Sequence, residues 1–175
     1  MGNQLFKIVS SLSNINWVSR KVTGAHNGTI AVKEGELILD EGRLTGGKIV
    51  ADIASIRILG ITDPTTNAQF AGHLASDDFF SAEKYPEAIL EITSVTGGWV
   101  EANLTIKGIT YPVTFEAYVD MDTNQNTVMA TGKMVIDRTK YGMRFRSGNF
   151  FKDLGDTLIY NDFELDISAI AKAVK

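Results

Sequence analysis

The sequence predicts an all-β protein built on an antiparallel sheet that must close on itself or stack to protect its edges. Three observations carry this. Apolar residues recur with a period of two along several stretches, the spacing that puts alternate side chains on one face of a strand. The interruptions are short and rich in Gly, Asn and Asp, residues that tolerate the backbone of hairpin turns. One stretch alone, near residues 71–86, reads as helical. A barrel and a sandwich both satisfy this pattern.

Taken in chain order, Glu34-Gly35 and Glu41-Gly42 read as the first turns, and Gly46-Gly47 as a further pair of turn glycines. Residues 60–70 (GITDPTTNAQF) read as a connecting loop. Ser76 followed by Asp77 and Asp78 reads as a helix start, a capping hydroxyl with acids placed against the positive end of the helix dipole. Pro86 ends that insert, and Phe79, Phe80 and Tyr85 give it an apolar anchor. Beyond it, Val100, Ala102, Leu104 and Ile106 alternate with Trp99, Glu101, Asn103 and Thr105. Gly97-Gly98, residues 122–126 and Leu154-Gly155-Asp156 supply further turns. Val128, Ala130, Met134 and Ile136 share one parity, and Phe163, Leu165 and Ile167 repeat the pattern near the end. With no internal repeat or linker, residues 1–175 read as a single domain.

Composition narrows the function. Hydrophobic residues make up 44% and charged residues 22%, the balance of a globule rather than a disordered chain. A net charge of −4 with no cluster of Lys and Arg argues against nucleic acid. No apolar run approaches the ~20 residues of a membrane-spanning helix. The absence of cysteine removes thiol catalysis and thiolate metal sites. As the sequence stands, MGNQLFKIVSS lacks the features of a secretory leader and reads as cytoplasmic; a leader removed beforehand would make the protein periplasmic.

Catalytic signals are few. The two histidines, His26 and His73, lie far apart and lack helical ligand spacing, so no metal site is predicted. There is no Gly-x-Ser-x-Gly elbow and no phosphate loop after either glycine pair. Asp52, His73, Asp137 and Arg138 are the groups an acid–base mechanism would use. What the chain does supply is a set of large apolar side chains able to line a barrel interior: Trp17, Phe79, Phe80, Trp99, Phe115, Met134, Phe145 and Phe151.

Three strings then stand together: AGHLASDDFFSAEKYP from Ala71 to Pro86, NLTIKGITYPVTF from Asn103 to Phe115, and IDRTKYG from Ile136 to Gly142. With Gly24-Ala25-His26, Gly46-Gly47, Asp52 and Ser55-Ile56 upstream, they resemble the YceI-like family of lipocalin-like, polyisoprenoid-binding proteins. The resemblance runs from about Asn14 to Ile167. It implies an antiparallel lipocalin-like β-barrel of about eight strands with one short helical insert near residues 71–86. It also implies a lipid-filled interior and, often, a homodimer.

These readings converge on a non-enzymatic binding or carrier protein, without cofactor or metal, that holds a long apolar ligand of polyisoprenoid, quinone or fatty acyl type. The expected ligand-binding residues are Trp17, Phe79, Phe80, Phe115, Met134, Arg138 and Phe145. Lys107, Arg144 and Arg146 join Arg138 as cations that could meet a charged head at the barrel mouth. The alternatives are a hydrolase or isomerase using the same cavity, and a structural or stress-related module whose barrel is filled by its own side chains.

Overall fold

The computed structural model describes residues 3–22, 24–122, 124–143 and 159–174. The strands are β1 (Asn3–Ile8), β2 (Asn14–Lys21), β3 (Gly24–Asp40), β4 (Arg43–Leu59), β5 (Glu87–Thr96), β6 (Trp99–Ile106), β7 (Ile109–Asp122), β8 (Thr127–Asp137) and β9 (Ile159–Ala173). Among the described residues one α-helix, α1 (Pro64–Ala75), sits between β4 and β5. From β2 onward each strand pairs antiparallel with the next, and β9 returns to pair with β2 from Asn14↔Ser168 to Lys21↔Ile159. That last ladder closes the sheet into a barrel.

The nine strands fill eight positions around the barrel. β1 and β2 share one position: β1 pairs with the distal half of β3 and the end of β9, while β2 pairs with their other halves. A 3-10 turn at Ser10–Leu12 separates them. Ser13 mends the break, because its hydroxyl accepts from the Ile170 amide at 3.0 Å and donates to the Val9 carbonyl at 2.8 Å. The backbone groups that a strand break would orphan are thereby satisfied.

Alternation is as the sequence predicts. Val100, Ala102, Leu104 and Ile106 are buried, while Trp99 at the head of the same strand is 54% exposed. Trp99 therefore lies on the outer face and does not line the interior. Lys107 and Gly108 both have positive φ, at 54° and 73°, and form a two-residue hairpin of the kind whose twist suits antiparallel strands. The expected turn at Glu34-Gly35 is instead strand: both residues lie inside the 17-residue β3, paired with Val50 and Ile49, just past a bulge at Lys33 where the register with β4 shifts between Val32 and Glu34. Gly46-Gly47 likewise lies inside β4.

A second irregularity shapes β4. Between Thr29↔Arg57 and Ala31↔Asp52, Ile30 alone faces residues 53–56. Ser55 fills the gap, its hydroxyl accepting from the Ala31 amide at 2.8 Å and donating to the Asp52 carbonyl at 2.6 Å. The Ile53 amide donates to Pro86 O at 2.8 Å, so the bulge also receives the end of the insert. Asp52 and Ser55, both in strings that carry the family resemblance, are thus architectural.

The helix lies earlier than expected. Asp63 caps it, accepting from the Thr66 amide at 3.1 Å, and Pro64 occupies its first turn. Ser76 is the C-terminal cap rather than the start, and most of the expected loop at 60–70 is helical. Asn67 pins the helix to the barrel by donating to the Ile58 carbonyl at 2.9 Å.

Leu37, 1% exposed in the core, should lose about 2–5 kcal/mol of stability when changed to Ala. Val135→Thr, on the outer face at 60% exposure, should change stability by less than about 0.5 kcal/mol. Urea denaturation of the two variants checks both expectations, and equal losses would contradict the inside–outside assignment.

Candidate functional site

The barrel interior contains two small apolar chambers. The larger, about 40 Å³, is walled by Ile15, Leu104, Ile106, Met134, Phe80 and Phe163 among others, all hydrocarbon or thioether side chains. The smaller, about 30 Å³, lies beside Leu37, Val100, Phe115 and Gly132. The two share Ile49, Leu90 and Ile167, so they are neighbouring compartments of one interior. Apolar space of this kind stays dry, and at about 24 cal/mol per Å³ the larger void costs the fold on the order of 1 kcal/mol.

The insert closes one end. After α1, successive turns fold the chain back: the Phe80 amide donates to Leu74 O at 3.0 Å and the Ala82 amide to Ala75 O at 2.8 Å. This delivers Phe80 to the larger chamber, where its ring meets Phe163 edge-on at 6.4 Å. Phe79 turns the other way. It is buried against the edge of His73 at 5.1 Å, with the Arg138 guanidinium 5.7 Å from its ring centre.

Arg138 is 2% exposed and acts as a clamp. Its Nε donates to Tyr160 O at 3.0 Å, one terminal nitrogen to Met143 O at 2.6 Å and the other to Ile159 O at 3.1 Å. These bonds tie the 3-10 turn after β8 (Arg138–Tyr141) to the start of β9. Burial pushes the guanidinium down to about 10, with Asp137 opposing the shift, so it stays charged at neutral pH. Lys107 plays a similar part, donating to Asp77 O at 2.9 Å and Gly142 O at 3.5 Å, and burial lowers its pKa. Two cations expected at an open mouth therefore hold the insert and the neighbouring turn together.

Of the other expected ligand-binding residues, Met134 and Phe80 line the larger chamber and Phe115 the smaller. Trp17 is buried but lines neither. Its indole lies over Gly28 on the paired strand, where a β-carbon would come within 2.6 Å of the ring. Among the described residues its Nε1 has no hydrogen-bond partner. Phe145, Phe151, Arg144 and Arg146 lie outside the described residues, as does the expected turn at Leu154-Gly155-Asp156. Leu104, Ile106 and Phe163, which alternation places on apolar strand faces, also wall the larger chamber although they are not among the expected ligand-binding residues, and Ile15 on β2 joins them. Their strand parity was the available signal, since each falls on the inward face.

The groups considered for acid–base chemistry do not converge. His73 Nε2 meets Asp78 Oδ2 at 3.0 Å on the surface of the insert. Asp137 accepts from the Thr139 amide at 2.9 Å and caps its turn. His26 packs its ring on Phe70 at 4.6 Å, and burial together with Lys21 lowers its pKa, which keeps it neutral at pH 7. Among the described residues no cluster of His, Asp and Glu has the arrangement of a metal site, and no helix is long and apolar enough to cross a membrane.

A closed eight-position antiparallel barrel with a dry apolar interior and a helical insert at one end is a lipocalin-type architecture. More particularly, the chain belongs to the YceI-like domain family, whose model matches residues 6–171. It is 33% identical over 123 residues to a UPF0312 protein of Staphylococcus aureus (strain bovine RF122 / ET3-1), covering 66% of this chain and 69% of that protein. Among solved structures it is similar to Burkholderia cenocepacia BcnA, with TM-score 0.70, 21% identity and coverage of 94% and 99% of the two chains. It is also similar to a polyisoprenoid binding domain from Saccharophagus degradans, with TM-score 0.69, 16% identity and coverage of 97% and 98%.

Arg138→Met should lower stability in urea by on the order of 3 kcal/mol, because three backbone carbonyls lose their donor. Arg138→Lys should recover only part of it, since an ammonium cannot reproduce the fork. Unchanged stability in both would contradict the clamp and return Arg138 to the role of a head-group cation.

Proposed function

We propose that this protein binds, without chemical conversion, a long apolar molecule such as an isoprenoid, quinone or acyl chain inside its barrel. One observation carries the reading: the larger chamber lies inside the barrel, and every described residue that walls it is apolar. Among the described residues this wall offers no acid, base or nucleophile, and it favours a ligand that asks for none. Each methylene moved from water into it contributes about 0.8 kcal/mol, so a long chain binds tightly with little polar recognition. The similar Saccharophagus domain is described as polyisoprenoid binding, which supports the same class of ligand here.

Size sets a condition on this reading. Pockets for organic ligands are about 300–1,000 Å³, far more than the chambers' 40 and 30 Å³. A long chain therefore enters by displacing side chains. Met134 is unbranched and adaptable, and Phe80 stands on the insert rather than on a strand, so these two can swing with least cost to the ladder. The ligand would then replace their packing, joining the two compartments through the wall they share at Ile49, Leu90 and Ile167.

Mass spectrometry of an organic extract from freshly purified protein, with a refolded sample as blank, tests the proposal. A stoichiometric prenyl, quinone or acyl species is expected. In the refolded protein, Phe80→Asp should weaken binding of added farnesol or palmitate at least tenfold while the fold survives, because it sets a carboxylate in the chamber wall. An empty extract together with no uptake of either added compound would contradict the proposal.

A further inference from the structure

The ladder between β7 and β8 stops short of the strands' full length. The β7–β8 ladder runs from Asp122↔Thr127 only as far as Ala117↔Gly132. Beyond that pair, among the described residues, β7 continues back to Ile109 paired with β6 alone, and β8 continues to Asp137 paired with β9 alone. The strands part like a V. Its vertex holds Phe115, whose ring lies against Gly132 so closely that a β-carbon there would sit 2.8 Å away. Its base is shut by the turn after β8, where Tyr141 meets Tyr111 edge-on at 5.6 Å and Lys140 lies 5.8 Å from the Tyr111 ring centre. Between them is a slot about four residues, or about 13 Å, long.

On its outer side the slot opens into a groove of about 790 Å³ flanked by Trp99, Tyr118 and Val135, which are 54%, 65% and 60% exposed. Groove and interior share wall residues: Met134 with the larger chamber, Phe115 with the smaller, Ile167 with both. If the β7–β8 register continued, Phe115 would stand opposite Met134. Among the described residues the barrier there is thus two side chains, with no ladder joining the backbones that carry them. β4 and β5 also part, beyond Gly47↔Ile92, but the groove at that place shares only Leu44 and Ala117 with the smaller chamber.

Resting on the proposed binding of an apolar chain, we infer that the β7–β8 slot is the lateral portal through which that chain passes, with Phe115 and Met134 as its gate. An unpaired pair of edges could instead invite a partner's strand, but the rims are unsuited to it. Pro112 on β7 lacks an amide hydrogen, and Lys133 on β8 carries a charge, the two devices that blunt exposed edges against pairing. The exposed aromatic and aliphatic rim suits a hydrocarbon chain. Gate opening requires side-chain rotation and no broken backbone hydrogen bond, which favours this wall over any fully laddered one.

The sequence contains no cysteine, so introduced ones report alone. Glu116→Cys/Lys133→Cys places a disulfide at the first position beyond the last pair, pinning the vertex. Loading of cis-parinaric acid is followed by stopped-flow fluorescence, and its Kd by titration, in the oxidised and reduced forms. The oxidised form should load at least tenfold more slowly at a Kd within twofold of the parent, and reduction should restore the rate. As a second arm, Val135→Cys carrying a bulky maleimide should slow loading, while the same label on Leu12→Cys, exposed on the 3-10 turn, should not. Parent-like rates in both the oxidised pair and the labelled Val135 variant would overturn the portal while leaving the binding reading intact. A parent protein that shows no saturable binding in the titration would overturn both.

Discussion

The ladder between β2 and β9 is the interaction on which the rest depends. An antiparallel meander of eight positions has two free edges until its first and last strands meet. Once they meet, each strand gains an inside as well as an outside. Only then does the parity of Ile15 on β2, Leu104 on β6 and Phe163 on β9 acquire a common meaning, because all three converge on one chamber. The break between β1 and β2 would weaken this closure, and Ser13 repairs it with two hydrogen bonds across the gap.

A closed barrel still has ends and seams, and this chain treats them differently. At the insert end, polar chemistry is spent on sealing: Arg138 and Lys107 give their donors to backbone carbonyls, and Phe79 lies beneath the guanidinium. Charge there is buried for mechanical effect, the costly kind of placement that a chain keeps only where the bonds are complete. Along the β7–β8 seam the chain spends nothing comparable. Pro112 and Lys133 guard the rims against pairing, and among the described residues the gap is held by side-chain packing, Phe115 against Gly132. Rigidity at the end and compliance at the side fit a container filled from the side.

Much of this architecture was legible in the sequence, because inside and outside alternate with a period that a strand enforces. The inward set of β6 and of β9 follows from parity, and the hairpin at Gly97-Gly98 from residues that accept positive φ. Other features were hidden for physical reasons. Glu34-Gly35 looks like a turn, yet the two residues continue β3 beside a bulge at Lys33, and only the partner strand decides between the two. Ser76 with its two acids has the composition of a helix start, but Asp63-Pro64 is the stronger cap, and the helix it nucleates ends at Ser76. Arg138 reads as a surface cation, and its burial depends on carbonyls 21 and 22 residues away in sequence. The slot is a relation between two strands, and Pro112 within a strand is the one sequence signal of an unpaired edge there.

The central claim is that a long apolar ligand lies inside the barrel rather than along its outer grooves. Isotope-filtered nuclear Overhauser measurements on protein methyl-labelled at Ile, Leu, Val and Met, loaded with unlabelled farnesol, test it most directly. Contacts are expected from the chain to the methyls of Met134, Leu104 and Ile15, which wall the larger chamber. Contacts confined to exposed methyls such as those of Val135 and Met129, with the interior silent, would contradict it.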